Sequence, residues 1–276
     1  MQPKGHDRAR VPSPRPVRRA LTTGAAILLL AVAAAGCSSE ELPRLGFPTP
    51  ATRDAERVLS LWQGSWAAAL AVGAVVWGLI VWSVIFHRKR SDALPTQTRY
   101  NVPIEALYTV VPFIMIAVLF FFTARDESKL IALTDNPEHE VNVVGRQWSW
   151  TFNYLDADTS VAGSPGQPPT LVLPQGERVR FTLTSPDVIH SFWVPSFLFK
   201  LDVVPGRQNE FEVTPSKLGT YRGKCAELCG VDHSRMLFNV VVVTPDQYDR
   251  YLDELRAKGQ VVTSQNAPTV STENAQ

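Results

Sequence analysis

Two long stretches without a charged residue constrain this chain more than any other feature. From Leu61 to Phe86, and again from Ala106 to Ala124, there is no Asp, Glu, Lys or Arg. About 20 apolar residues cross a bilayer as a helix, so the first stretch is ample and the second just sufficient. Trp62, Trp66, Trp77 and Trp82 lie in the first stretch, some near its ends, where amphipathic rings anchor at membrane–water interfaces. His87-Arg88-Lys89-Arg90 follows directly, and basic residues beside a spanning helix mark the cytoplasmic side. The pattern predicts a hairpin over 61–124. Helix 61–86 runs inward, 87–105 is a cytoplasmic loop, and helix 106–124 returns outward with Pro112 as a candidate kink. Everything from about Arg125 is then extracytoplasmic. A soluble helical hairpin would carry charges on its outer faces, and neither stretch carries any.

The N-terminus agrees with export. Lys4, Arg8, Arg10, Arg15, Arg18 and Arg19 precede an apolar run from Ala20 to Ala35, which ends in Ala34-Ala35-Gly36-Cys37. A basic region, a short apolar region and small residues form a signal peptide, here 1–36, followed by an extracytoplasmic segment over 37–60. The cysteine after Ala-Gly resembles a bacterial lipobox, with Ala34 where Leu or Val is usual. Lipidation of Cys37 is the expectation; a plain cleaved signal and an uncleaved helix are the alternatives. Loss of 1–36 removes more cations than carboxylates and leaves the remaining chain acidic.

Beyond Pro137 the hydrophobic period changes to two, the mark of half-buried strands. Glu138–Val143 alternates, as do Trp148, Trp150, Phe152 and Tyr154, and Glu177–Thr184. Further strands are predicted at Ile189–Val194, Asn209–Thr214, Gly219–Gly223 and Leu237–Val243. Residues 156–169 read as a loop, Pro245–Ala257 as a helix, and 259–276 as a disordered polar tail. Many short strands between turn signals point to a β-sandwich or barrel over 125–258. A formal charge of +1 excludes the strong basic field of a nucleic-acid binder.

The chemistry is concentrated in Tyr221-Arg-Gly-Lys-Cys225-Ala-Glu227-Leu-Cys229-Gly-Val-Asp-His233-Ser-Arg-Met236. Thiolate and thioether donors favour copper(I), and imidazole suits copper in either state. One Cys, two His and a weak Met make a mononuclear blue-copper site; a second thiolate four residues on can bridge two ions. Of the five histidines, His6 lies in the signal, His87 at the cytoplasmic side and His139 in the first strand. That leaves His190, in Asp187-Val-Ile-His190-Ser, to join His233. A Cys225–Cys229 disulfide and a Cys2His2 zinc site are the alternatives, and Met236 weighs against both.

Cys-x-Glu-x-Cys-x-x-x-His-x-x-Met, preceded by Asp-x-x-His-Ser, resembles the CuA domain of cytochrome c oxidase subunit II, and the resemblance covers about residues 60–255. It implies two transmembrane helices followed by an all-β cupredoxin-like Greek-key sandwich. It implies a two-copper centre with Cys225 and Cys229 bridging, His190 and His233 each on one copper, and Met236 and the Glu227 carbonyl as weak ligands. It implies magnesium held by the Glu227 side chain at the contact with subunit I. Gly145-Arg-Gln-Trp148-Ser-Trp150 resembles the aromatic segment over that copper site, where Trp148 would admit electrons from cytochrome c. Glu105 would stand at the cytoplasmic mouth of a proton pathway, and Asp187 near the cytochrome c contact. The implied partners are subunits I and III and cytochrome c, and the implied location is the bacterial cytoplasmic membrane. The implied activity is electron entry to a proton-pumping haem–copper oxidase that reduces oxygen to water.

Each role has a plainer counterpart. Trp148 alone is a packing residue, Glu105 a carboxylate at a helix start, and Asp187 a turn residue. A quinol oxidase subunit II shares the helices and the sandwich but lacks the copper ligands. A copper-carrier lipoprotein needs only one anchor. A nitrous-oxide reductase needs a histidine-rich domain that five histidines cannot supply. There is no Cys-x-x-Cys-His, so any haem belongs to partners.

Overall fold

A computed structural model describes Gly24, residues 41–94 and residues 96–262. The predicted signal peptide, Gly24 apart, and Cys37 lie outside the described residues. Residues 41–46 form, by themselves, one 3-10 turn, in which the Leu45 N–H closes on the Leu42 carbonyl at 3.2 Å.

Helix α1 is Arg53–Phe86 and helix α2 is Val102–Leu130. Both are long and apolar enough to cross a membrane. Each extends past its uncharged stretch at the end nearer the sandwich, through Arg53–Arg57 in α1 and Arg125–Leu130 in α2. Absence of charge marks the part that lipid can accept, whereas backbone hydrogen bonding continues into water. Thr52 caps α1 by accepting from the Ala55 N–H at 3.1 Å. Asn101 caps α2, and the Glu105 carboxylate reaches back to the Asn101 N–H at 2.9 Å, as in a capping box displaced by one residue. α2 continues through Pro112.

The ten strands are β1 His139–Arg146, β2 Ser149–Tyr154, β3 Thr159–Ala162, β4 Thr170–Pro174, β5 Val179–Thr184, β6 His190–Val194, β7 Phe199–Val203, β8 Asn209–Val213, β9 Gly219–Cys225 and β10 Leu237–Val243. They form two five-stranded sheets in the orders β3-β2-β1-β5-β8 and β4-β10-β9-β6-β7. β1 pairs with β5 in parallel, and β10 with β4. The predicted loop over 156–169 is corrected: it contains β3. Four residues at a sheet edge, flanked by Asp, Gly and Ser, carry too little alternation to be read from composition. β4 and β7 add strands that the sequence did not yield. Trp148 precedes β2 rather than lying in it.

The alternation in each strand sends its large side chains between the sheets. Trp150, Phe152, Phe181, Phe192, Phe211 and Phe238 are at most 2% exposed. Their rings meet in stacked or edge contacts, for example Phe192 with Phe238 at 4.8 Å and Phe181 with Phe211 at 5.0 Å. Burying one such ring contributes about 1.5–3 kcal/mol. Gly223 of β9 is required here, since a Cβ at that position would lie 2.1 Å from the Phe238 ring.

Helix α3, Pro245–Ala257, opens with a Thr244–Gln247 capping box and buries Tyr248, Leu252 and Leu255. Residues 259–262, which the sequence placed in the tail, are held against the sandwich: the Val262 N–H bonds the Asp158 carbonyl at 3.1 Å. Residues 263–276 lie outside the described residues.

Two devices join hairpin and sandwich. Ala51, wholly buried, donates to the Ser196 carbonyl and accepts from the Ser216 N–H, both at 2.8 Å. Thr134, between α2 and β1, gives its N–H to buried Glu212 at 3.0 Å, and Arg180 holds Glu212 at 2.8 Å.

Candidate metal centre

Three stretches converge at one end of the sandwich. β6 begins at His190, β9 ends at Cys225, and β10 begins at Leu237. The β9–β10 connection is therefore the motif itself. Its base is closed by the Cys225 N–H on the Met236 carbonyl at 3.0 Å, and the Ala226 N–H pins it to β6 through the Ser191 carbonyl at 3.0 Å. Inside, His233 N–H bonds the Gly230 carbonyl and Met236 N–H the His233 carbonyl, both at 3.2 Å, which turns His233 and Met236 inward. Gly230 has φ +126°, and a Cβ there would lie 3.0 Å from the Trp148 ring, so glycine meets both the backbone and the packing requirement.

Six donors collect in this fold. The sulfurs of Cys225 and Cys229 are 3.9 Å apart and both thiols are free. A disulfide requires about 2.05 Å. His190 Nδ1 lies 3.9 Å from the Cys225 sulfur, and His233 Nδ1 lies 3.5 Å from that of Cys229. Met236 Sδ is 3.8 Å from the Cys229 sulfur, and the Glu227 carbonyl is 3.3 Å from that of Cys225. His190 and Met236 are fully buried, while the Glu227 side chain is exposed. Two thiols, two imidazoles, a thioether and a carbonyl form a soft set that fits copper.

The electrostatics prepare the site for cations. Burial pushes the Cys225 thiol up, but its hydrogen bonds to His190, to the Glu227 and Ser191 backbone and to His233 together outweigh burial and hold the thiol at about 7. Burial and the adjacent Cys225 push Cys229 up to about 12. Burial alone would lower His190; its bonds to Cys225 and Asp187 raise it instead. The protein groups alone thus tolerate one thiolate, and a second requires positive charge between the sulfurs.

The surroundings fix these donors. Asp187 Oδ1 sits 2.9 Å from His190 Nε2, which leaves Nδ1 for the thiol side, and its Oδ2 accepts from the Gln147 N–H at 2.8 Å. Gln147 Nε2 and Trp148 Nε1 both donate to the Cys229 carbonyl, at 2.7 and 3.2 Å. Trp150 Nε1 donates to the Met236 carbonyl at 3.4 Å. A Cβ on Gly145 would lie 3.1 Å from Trp150 and 3.3 Å from His190. Gln147, Trp150 and Gly145 lie in the Gly145–Trp150 segment that the resemblance sets over the site, but only Trp148 was given a role there; the Asp-x-x-His spacing hinted at the support behind His190. Glu105 is not part of this cluster. It caps α2 about 30 Å along that helix from Arg125.

Comparison with known proteins gives the family. Residues 167–243 match the family model for the periplasmic domain of cytochrome c oxidase subunit II. The chain is 54% identical to a probable cytochrome c oxidase subunit 2 of Streptomyces coelicolor, over 94% of this chain and 93% of that protein. It is 36% identical to the cytochrome c oxidase subunit 2 of Mycobacterium tuberculosis, over 86% of this chain and 82% of that one. It is also similar to the crystallised periplasmic domain of the Bradyrhizobium japonicum subunit II, with TM-score 0.42 and 29% identity over 46% of this chain and 99% of that one. With a relative this similar over nearly its whole length, the chain belongs to the cytochrome c oxidase subunit II family.

Proposed function

We propose that this subunit takes electrons from cytochrome c at a two-copper centre and hands them to haem in subunit I of a proton-pumping oxidase, where oxygen becomes water. The observation that carries the reading is the pair of free thiols 3.9 Å apart, flanked by two imidazole nitrogens and a thioether sulfur. Cys225, Cys229, His190 and His233 would hold the copper, with Met236 and the Glu227 carbonyl as weaker donors. When bound, the copper pair supplies a one-electron site in a rigid frame, so little rearrangement accompanies a change of charge.

The chain's own residues do the rest. Cys225 and Cys229 give up protons to accept the metals. Asp187 orients His190. Its carboxylate is already engaged by His190, Gln147 and Val188, which favours a positioning role over the docking role. Trp148 offers a half-exposed indole bonded to the backbone of a ligand residue, a short path from the surface inward. The exposed Glu227 carboxylate is free to hold magnesium against subunit I. Subunit III completes the partners, the cytoplasmic membrane is the site, and Cys37 carries the lipid. Glu105, at the far end of α2, marks the entrance of a proton path, with its capping bond holding it at the helix start.

The test uses the full-length chain, reduced in detergent and loaded with copper. Two coppers per chain sharing one unpaired electron, read by elemental analysis and electron paramagnetic resonance, are expected. One copper, or a spectrum confined to one nucleus, overturns the binuclear reading.

A further inference from the structure

Between the ends of α1 and α2 nearest the sandwich lies a cavity of about 330 Å³. Gly64 and Ala68 of α1 and Val118 and Phe122 of α2 line its depth, and Arg125 and Asp126 line its mouth. Gly64 and Ala68 are one helical turn apart and share a face, so two missing side chains open the space. At the mouth, Asp126 is only 4% exposed. Its Oδ1 accepts from Arg125 Nε at 3.0 Å and lies 3.8 Å from Arg57 Nη1. Arg57 Nε is buried and has no hydrogen-bond partner among the described residues. Two guanidiniums therefore face one carboxylate. Arg57, just outside the lining, and Arg125 are 37 and 44% exposed, so these three groups present a net single positive charge to an approaching ligand, and the buried Arg57 Nε is the donor that lacks an acceptor.

The depth of the cavity identifies what can satisfy it. Arg57 and Arg125 are the first charges met on leaving the two uncharged stretches toward the sandwich. They stand at the level of lipid headgroups. From Arg57 to Ala68, α1 descends roughly 16 Å at its ordinary rise, about half of a 30 Å hydrocarbon layer. A ligand that fits is anionic at the top and apolar below.

We propose that this cavity binds one anionic phospholipid from the leaflet on the sandwich side. Its phosphodiester lies against Arg57 and Arg125, and an acyl chain runs down past Gly64 and Ala68. A phosphodiester carries the single negative charge that the mouth lacks. A zwitterionic headgroup brings its own cation to a positive site, and a bare phosphate leaves the apolar depth unfilled. The inference depends on the membrane placement of the helices and not on the electron-transfer reading.

The test exchanges the full-length chain in detergent with phosphatidylglycerol or phosphatidylcholine and counts retained lipid by native mass spectrometry. One phosphatidylglycerol per chain is expected, favoured over phosphatidylcholine by roughly fivefold for each arginine engaged. A Cβ at Gly64 meets nothing within 4 Å, so Gly64→Leu fills the cavity without disturbing the chain. Loss of the retained lipid with unchanged helical circular dichroism is expected for it. Arg57→Gln should keep binding but reduce the preference for the anionic lipid. Four results overturn the proposal: no retained lipid, equal retention of both lipids, undiminished retention by Gly64→Leu, and displacement of phosphatidylglycerol by inorganic phosphate. Retention that disappears once subunit I is bound would assign the cavity to a side chain of that partner and also overturn it.

Discussion

The helical hairpin and the sandwich are built from the same apolar residue types, which meet opposite fates. Phe152, Phe181 and Phe238 are at most 1% exposed in the sandwich, whereas Phe113 and Phe120 of α2 are 71 and 72% exposed. The sandwich satisfies its hydrophobic surface internally. The hairpin leaves its own to lipid and partner helices, and its backbone is the only part that it satisfies alone. Residue identity therefore matters sharply in one region and loosely in the other, and this contrast can be broken by substitution.

The largest effect belongs to the metal end of the sandwich. Cys229→Ser exchanges a thiolate for a hydroxyl, which is neither soft nor ionised at neutral pH. Cys229 contacts Cys225, His233 and Met236 at once. Copper content is expected to fall to near zero, with the reduced, metal-free protein melting close to wild type. A retained two-copper spectrum would remove Cys229 from the ligand set.

Next is a matched pair of glycines. Gly223→Ala forces a Cβ to within 2.1 Å of the Phe238 ring, deep between the sheets. Overpacking of this kind costs about 1–3 kcal/mol, and here the upper end is expected because the neighbour is a stacked ring. Gly73→Ala in α1 meets nothing within 4 Å and gains helix propensity of about 1 kcal/mol. Thermal unfolding of the two variants should move in opposite directions. Equal shifts would mean that the hairpin is packed as tightly as the sandwich.

The two regions also differed in what the sequence disclosed. The hairpin was legible because membrane insertion depends on composition over a long window, and only its water-side turns escaped. The long alternating strands were legible for a similar reason. β3 was not, because an edge strand of four residues is held by pairing with β2 and by the return of the chain near Gln260, and neither has a local sign. In the site, Cys225, Cys229, His233 and Met236 were readable as a candidate set because soft ligands at that spacing are rare in combination, and His190 joined them by elimination; the Glu227 carbonyl came only with the family resemblance. Their supports were not readable. Gln147 and Trp150 reach backbone carbonyls 82 and 86 residues away, and no local pattern encodes a contact at that separation.

Asp187→Asn sharpens the contrast on a finer scale, since it alters no donor and no packing volume. An amide still hydrogen-bonds His190 but adds no charge, and the ring loses the carboxylate that sets its orientation. Loss of a partner behind a metal-bound histidine typically costs 10–100-fold in affinity. Copper affinity is expected to fall by about that factor, with two coppers still bound at saturation. If Asp187 were instead a docking charge, copper affinity would stay unchanged and the salt dependence of reduction by cytochrome c would change.

The smallest effect is a change of slope with pH. The Cys229 thiol, pushed up to about 12, is protonated across the working range, so copper must displace that proton at every ordinary pH. Loading therefore weakens steadily as pH falls. The Cys225 thiol, held down at about 7, is ionised above that value and adds no further competition there. Below about 7 it binds a proton too, and His190, raised by its bonds to Cys225 and Asp187, competes in the same direction. Copper affinity is then expected to drop with one slope above about pH 7 and a steeper one below it, measured by competition with a chelator of known pH dependence. Helical circular dichroism should stay flat over the same window, because the hairpin holds none of these groups. A break in both signals at the same pH would show the two regions responding as one unit, and a single slope throughout would mean that Cys225 is not poised by its neighbours.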